Sequence, residues 1–96
     1  MEFVIIAKDG SGTEALTRRL NARKAHLENT DKHMSHMKMA AATLDENDTM
    51  TGSVMVVDFP TREDLNIWIE SDPYTVQNVW KHIIILPCKI APAFLK

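Results

Sequence analysis

Short apolar runs alternate with longer segments of helical periodicity along this chain. Residues 3–8 (FVIIAK), 51–59 (TGSVMVVDF) and 82–90 (HIIILPCKI) are rich in Val, Ile and Phe, and such runs are typical of β-strands. Residues 37–44 (MKMAAATL) predict a fourth strand. The polar turn at residues 45–48 (DEND) lies between this strand and the next one, so the two strands should form a hairpin.

The first helix is predicted between residues 13 and 32, a stretch without Gly or Pro. Leu16, Leu20 and Leu27 recur there at helical spacing. All three fall within a narrow arc when successive residues are placed about 100° apart around the helix axis. We therefore expect these leucines to form the buried stripe of the helix.

A second helix is predicted from an N-cap at Thr61 to about Ser71. Asp64 stands at the third helical position, where a carboxylate complements the cap. The helix must end before Pro73, because proline disfavours helical backbone at the residue that precedes it. Asp72 and Pro73 then predict a short extra helical turn, with Asp72 as its cap and Pro73 at its first position.

These elements follow the order βαββαβ, which predicts a ferredoxin-like α+β fold: a four-stranded antiparallel sheet with both helices on one face. The chain has 96 residues, so we expect residues 1–96 to form a single domain. Its strands are apolar on both faces at residues 4–6, 54–57 and 83–86. Because two helices cover only one face, we expect a homodimer with C₂ symmetry to bury the other. A bound apolar ligand over that face is the alternative.

Charge, cysteine content and the length of the apolar runs exclude several classes of protein. The formal net charge is −2, which argues against nucleic-acid binding, since such proteins usually carry a basic excess. Cys88 is the single cysteine, so no internal disulfide can form, and a reducing compartment fits. The chain shows neither the basic start of a signal peptide nor the roughly 18 apolar residues of a membrane span. We therefore predict a soluble, cytoplasmic protein that contacts neither nucleic acid nor membrane.

Three polar side chains of the first predicted helix indicate a site. Arg19, Arg23 and His26 follow one another at spacings of four and three residues, beside the leucine stripe. Because an isolated buried charge is costly, this line should border a cleft that holds water, a carboxylate or an anion. The alternative is that both arginines extend to solvent along the helix edge.

Asp72 is the expected partner of His26. One oxygen of its carboxylate can cap the short helical turn while the other accepts a hydrogen bond from the imidazole. A carboxylate in this position would orient His26 for work as a general acid or base. The alternative is that Asp72 acts as a cap alone, which is common for Asp before Pro.

Four short motifs, taken together with their order and spacing, resemble the YciI-related family. They are residues 23–27 (RKAHL), 51–53 (TGS), 72–74 (DPY) and 86–89 (LPCK). The resemblance implies a dimeric α/β-barrel built from ferredoxin-like subunits, with a His–Asp pair, here His26 and Asp72, in a cleft. Residues 39–42 (MAAA) and 76–80 (VQNVW) depart from the family's pattern at positions where a pocket wall is expected.

The resemblance also implies small-molecule chemistry, since the family includes a dehydrochlorinase of a chlorinated aromatic compound. The first hypothesis is a cofactor-independent enzyme of lyase or hydrolase type. It would catalyse proton transfer, elimination or hydrolysis on a small, anionic metabolite, for which an aromatic compound is a candidate. In it, His26 moves a proton, Asp72 orients His26, and Arg23 binds an anionic or enolate-like group. Further substrate contacts are expected from Arg19, Tyr74 and His36. The second hypothesis is a non-catalytic dimer that binds a small ligand or serves as an accessory subunit, and a third is a purely structural interaction protein.

Residues 33–39 (HMSHMKM) combine imidazole and thioether groups, which suit copper. The segment spans a predicted helix end and a strand start, so its side chains should diverge, and methionine is a common core residue. We therefore predict no metal site. Cys88 has no activating pattern around it, and we expect it to pack on the last strand.

Overall fold

The computed structural model describes residues 1–95. Its strands and longer helices, in chain order, are β1 (Glu2–Asp9), α1 (Ala15–Lys32), β2 (Met37–Leu44), β3 (Met50–Asp58), α2 (Arg62–Ser71), α3 (Pro73–Val76) and β4 (Trp80–Cys88). Two 3₁₀ turns lie at Met34–His36 and Pro92–Phe94. The strands form one antiparallel sheet in the order β2-β3-β1-β4, which confirms the predicted ferredoxin-like α+β fold. Within residues 1–95, no helix is both long enough and apolar enough to cross a membrane.

Both predicted capping residues begin their helices. Thr61 Oγ1 accepts a hydrogen bond from Asp64 N at 3.1 Å, which confirms the N-cap of α2. Asp72 Oδ2 accepts one from Tyr74 N at 2.9 Å, at the start of α3. Each contact satisfies a backbone N–H that has no partner inside its helix. The position of Asp72, on which the candidate site depends, is therefore set by local sequence.

Strand β4 begins earlier than predicted, at Trp80 instead of His82, and ends at Cys88. Trp80 is 5% exposed and is paired with Asp9 of β1. The sequence pattern missed this start because exposed Lys81 and His82 separate Trp80 from the isoleucine run. As a result, the indole of Trp80 belongs to the core.

The helix-covered face of the sheet carries the core. Phe3, Ile5 and Ala7 of β1 point to this face and are almost completely buried, as are Met55 and Val57 on the neighbouring β3. The other elements complete the core with Ala22, Phe59, Leu65, Trp68, Ile69, Tyr74, Val79 and Trp80. Alternate residues of each strand therefore face the helices, as expected from the two-residue period of a strand.

The buried face of α1 differs from the predicted leucine stripe, and that prediction is wrong. Leu20 and Leu27 are 52% and 43% exposed, whereas Arg19, Ala22 and His26 are buried. The two polar residues occupy the buried face because each has a hydrogen-bonding partner there. Hydrophobic periodicity selected the wrong face, since it gives no weight to a polar side chain that is buried together with its partner.

The second face of the sheet, called here the open sheet face, has no covering element within residues 1–95. The pairing register places seven large apolar side chains on it: Val4, Ile6, Met39, Val54, Val56, Ile84 and Leu86. Ile84 and Leu86 are 53% and 50% exposed. The prediction that both faces of the sheet are apolar is confirmed, and the homodimer that would cover the open sheet face stays a prediction.

Candidate active site

His26 and Asp72 form a buried pair between α1 and the start of α3. His26 Nδ1 lies 2.7 Å from Asp72 Oδ2, and Asp72 is completely buried. Tyr74 N donates to the same oxygen, and Asn29 Nδ2 donates to Oδ1 at 2.9 Å. Three donors therefore surround the carboxylate and replace the water that it loses on burial. The carboxylate caps α3 and contacts the imidazole at the same time.

This contact sets the tautomer of His26. An ionised carboxylate only accepts hydrogen bonds, so Nδ1 carries the proton and donates to Asp72. Nε2 makes no hydrogen bond within residues 1–95 and is left for the cleft that His26 lines. In the neutral imidazole, Nε2 then has a free lone pair. An imidazole held this way is suited to take up a proton and return it.

Aromatic rings hold the imidazole from its face and its edge. The rings of His26 and Tyr74 stack with centroids 3.8 Å apart and planes 7° apart. Trp80 meets both rings edge-on, at 5.7 Å and 5.4 Å between centroids. Burial raises the pKa of Tyr74 above its ordinary value of 10.0, although the charge of nearby Arg19 opposes the rise. The phenol of Tyr74 therefore stays protonated at neutral pH.

Arg19 is held beside the cleft by a buried ion pair. Its Nη1 lies 3.0 Å and 3.1 Å from the two carboxylate oxygens of Asp9, and its Nη2 donates to Ser53 Oγ at 3.0 Å. Both charged side chains of the pair are 4% exposed. Burial raises the pKa of Asp9 above its ordinary value of 3.8, while the Arg19 charge acts in the opposite direction.

A cleft of about 230 Å³ lies between α1 and the β2–β3 hairpin. It is lined by Arg19, Arg23, His26, Leu27, Ala40, Ala41, Ala42, Met50, Ser53, Met55 and Tyr74. Arg23 is exposed and forms no ion pair with any carboxylate of residues 1–95. The alanines belong to residues 39–42, where a pocket wall was expected. The cleft thus combines an arginine without a carboxylate partner, an imidazole and a phenol with apolar side chains from Leu27, Met55 and the alanines.

His36 does not reach this cleft, whereas Arg19, Arg23, His26 and Tyr74 line it and Asp72 contacts the imidazole from behind. Its Nδ1 donates to Asp58 O at 2.9 Å, and its ring stacks on Phe59 with centroids 4.4 Å apart. His33 Nδ1 donates instead to Asn29 O at 2.8 Å. Among residues 1–95, no three His, Cys, Asp or Glu side chains are arranged to hold a metal ion.

Sequence reasoning missed three residues of the site. Asn29 follows His26 by three positions and so shares its helix face, a signal that was present in the sequence. Ser53 lies in the TGS motif but had no role assigned to it. Asp9 ends an apolar strand, and nothing in the sequence indicates that it would be buried against Arg19. Its partner depends on how β1 packs against α1.

Comparison with known proteins identifies the family of this chain. The YCII-related domain matches residues 1–89. This chain belongs to the YCII-related family. Protein YciI from Escherichia coli O6:H1 is 30% identical to it over 97 residues, which cover 93% of this chain and 97% of that protein. Protein YciI from Shigella flexneri matches with the same identity and coverage. The predicted YciI resemblance is confirmed.

Solved structures share the fold of this YCII-related chain. The structure of 5-chloro-2-hydroxyhydroquinone dehydrochlorinase from Burkholderia phenoliruptrix, in complex with 2,5-dihydroxybenzoquinone, matches with a TM-score of 0.86 and 23% identity, over 97% of this chain and 98% of that one. An antibiotic biosynthesis monooxygenase matches with a TM-score of 0.58 and 19% identity, over 96% of this chain and 100% of that one. At these identities the matches establish the fold.

Proposed function

We propose that this YCII-related protein is a small-molecule enzyme in which His26 acts as the general acid and base. The observation that carries the proposal is the 2.7 Å contact between Nδ1 and the fully buried carboxylate of Asp72, which leaves Nε2 for the cleft. Arg23 binds an anionic or enolate-like oxygen of the substrate, since it lines the cleft without a carboxylate partner within residues 1–95. The phenol of Tyr74 supplies a further hydrogen-bond donor.

The size of the cleft supports a substrate with a single ring. A cavity of about 150 Å³ is large enough to hold benzene, and this cleft measures about 230 Å³. Leu27, Met55 and the three alanines offer apolar contacts to the faces of a ring. The ligand of the dehydrochlorinase, 2,5-dihydroxybenzoquinone, is one ring with hydroxyl and carbonyl oxygens. A hydroxylated, chlorinated ring is therefore the first substrate class to test.

Elimination of HCl from such a ring balances with His26 as the base. The substrate reacts from its keto tautomer, in which the carbon that bears chlorine is tetrahedral and also carries a hydrogen. Nε2 takes the proton of a conjugated O–H group, the electron pair of that bond forms a carbonyl, and the ring double bond shifts to the chlorine-bearing carbon. The C–Cl bond breaks, and chloride leaves with both bonding electrons. Arg23 stabilises the oxyanion that develops, and the proton on Nε2 is then released to water. The step is neutral in redox terms.

Chloride release from 5-chloro-2-hydroxyhydroquinone tests the proposal. The purified protein and its His26→Gln and Asp72→Asn variants are incubated with this compound under argon, and chloride is measured by ion chromatography. We expect His26→Gln to lower the rate by about 10²- to 10⁴-fold, the usual contribution of a general base. His82→Gln changes an exposed imidazole of β4 outside the cleft, and should react like the wild type.

Two results would contradict this assignment. Equal rates for the wild type and His26→Gln would remove the imidazole from the reaction. Binding of the compound by the wild type without any chloride release would favour the second hypothesis, a module that binds a small ligand without converting it. A long-range ¹H–¹⁵N spectrum of the histidine rings provides a check that needs no substrate. It should show the Nδ1–H tautomer of His26 in the wild type and a mixture in Asp72→Asn.

We also propose that the working unit is a homodimer joined through the open sheet face. Its support is the group of seven apolar side chains defined above, several of which are about half exposed in one chain. A face of this kind is unusual on a monomer, and a second copy presents the same surface. Cys88 is unpaired, which fits the reducing conditions of the cytoplasm and makes this compartment part of the proposal.

A further inference from the structure

The hydroxyl of Ser53 has only one hydrogen bond left to make. Its Oγ accepts from Arg19 Nη2 at 3.0 Å and from Trp80 Nε1 at 3.2 Å. Arginine and indole nitrogens only donate, so these two contacts occupy both lone pairs of the oxygen. What remains is the hydroxyl proton, and no acceptor within residues 1–95 receives it. Ser53 is 4% exposed, and the space that it faces is the cleft.

We infer that Ser53 is a fixed hydrogen-bond donor that selects ligands with an acceptor oxygen at its position in the cleft. A buried donor without a partner costs free energy, and a ligand oxygen removes that cost on binding. A ligand group that can only donate hydrogen bonds, such as an ammonium, would face the hydroxyl proton of Ser53 and would bind weakly. This inference takes the ligand class from the proposed function, but it does not depend on proton transfer by His26.

A second donor lies on the side chain that binds Ser53. Arg19 Nε is buried and has no hydrogen-bond partner within residues 1–95. Because the charge of Arg19 is balanced by Asp9, the corner of the cleft at Ser53 carries no net positive charge. Arg23, by contrast, brings an unbalanced charge to the same cleft. The corner at Ser53 therefore fits a carbonyl or an ionised ring hydroxyl, and Arg23 fits the more strongly anionic substituent.

Close strand packing fixes the backbone that carries Ser53. A Cβ atom on the preceding Gly52 would lie 2.4 Å from Ala7 O and 2.9 Å from Thr43 Oγ1. Glycine at this position thus lets β1 and β2 approach β3 from both sides, next to the serine. This gives the TGS motif a physical role, since Gly52 permits the approach and Ser53 presents the donor.

The affinity for 2,5-dihydroxybenzoquinone tests the inference, measured by isothermal titration calorimetry on the intact protein. Ser53→Ala should raise Kd by about tenfold or more, the size expected for loss of a hydrogen bond to a charged acceptor. Ser53→Thr keeps the hydroxyl and should restore binding. Ser71→Ala is the matched control, because it removes a serine hydroxyl bonded to Trp68 O at 2.8 Å, outside the cleft.

The two tryptophans provide a signature that a structural role alone would not produce. When Ser53 donates to the quinone, its oxygen becomes a better acceptor, because hydrogen bonds in a chain polarise one another. The indole N–H resonance of Trp80 should then move downfield on titration. The indole N–H of Trp68 has no partner within residues 1–95 and should stay in place. This measurement uses the wild type, so it stands even if Ser53→Ala fails to fold.

Each outcome decides the inference. A Ser53→Ala variant that binds as tightly as the wild type would overturn it, as would a Trp80 resonance that does not move at saturation. Absence of binding to the wild type at millimolar quinone would overturn it as well. The enzyme proposal is judged separately by chloride release. If the protein binds the quinone through Ser53 but releases no chloride, the enzyme proposal is wrong and the inference about Ser53 stands.

Discussion

Each face of the sheet carries exceptions to the usual relation between burial and polarity. Under the helices, Arg19, His26 and Asp72 are buried, whereas Ile84 and Leu86 on the open sheet face are about half exposed. In most proteins charged side chains stay in water and large apolar ones are inside. The covered face accepts charge because every charged group there has a partner. A charged side chain of this chain is therefore buried where another group pairs with it. The apolar side chains of the open sheet face are exposed because no element within residues 1–95 covers them.

Removal of Arg19 should produce the largest effect on this arrangement. Arg19→Met keeps the length and apolar stem of the side chain but leaves the carboxylate of Asp9 buried without its cation. Breaking a buried ion pair in this way costs about 3 to 5 kcal/mol. We expect a loss of that size in the free energy of unfolding at pH 7, measured with urea. Arg23→Met is the control, since an exposed, unpaired arginine should change stability by less than about 0.5 kcal/mol.

The loss in Arg19→Met should depend on pH in a defined direction. The pKa of Asp9 is already raised above 3.8 by burial, and Arg19 restrains the rise more strongly than the second nearby charge, Arg18. Without Arg19 the folded-state pKa increases further. The folded variant then keeps a proton that the unfolded chain has released, so its stability falls as pH rises from about 3.8 through the folded-state pKa. The difference from wild type should shrink toward pH 4, and a constant difference would contradict the role of Asp9.

A charge placed on the open sheet face tests the other half of the comparison. Ile84→Lys should separate the proposed dimer, because an interface that buries an unpaired ammonium loses about 3 kcal/mol, or roughly a hundredfold in Kd. Sedimentation velocity over a range of concentrations measures the change. Ile67→Lys is the matched control, since Ile67 is 67% exposed on α2, on the opposite side of the sheet. A wild type that sediments as a monomer at every concentration would remove the dimer proposal.

Local chemistry explains which parts of the fold could be read from the sequence. The caps at Thr61 and Asp72 involve neighbours two or three residues away, so the sequence contains both partners of each contact. Strand β2 at Met37–Leu44 was predicted at its observed bounds because the turn that follows it is strongly polar. The pairing of His26 with Asp72 could be predicted because one carboxylate can serve as both cap and acceptor.

The rest of the site depends on contacts between distant segments. Asp9 and Ser53 meet Arg19 only because β1 and β3 pair beneath α1, and no periodic pattern encodes that meeting. The exposed Leu20 and Leu27 also show that a periodic pattern does not identify contacts between distant segments. Their spacing is correct for a helix, but the buried face was decided by partners elsewhere in the chain. Polar residues on a helix should therefore be weighed for partners before they are assigned to solvent.

Removal of the Thr75 hydroxyl should have the smallest effect on the free energy of unfolding. Thr75 Oγ1 on α3 is buried and has no hydrogen-bond partner within residues 1–95. A buried hydroxyl without a hydrogen-bond partner destabilises the fold. Because valine has nearly the same shape as threonine, Thr75→Val should stabilise the fold by about 1 kcal/mol. Ser71→Ala removes a hydroxyl that does have an acceptor, Trp68 O, and should be neutral or slightly destabilising. Urea unfolding of both variants measures the contrast, and a destabilised Thr75→Val would show that burial on this face is governed by something other than hydrogen-bond partners.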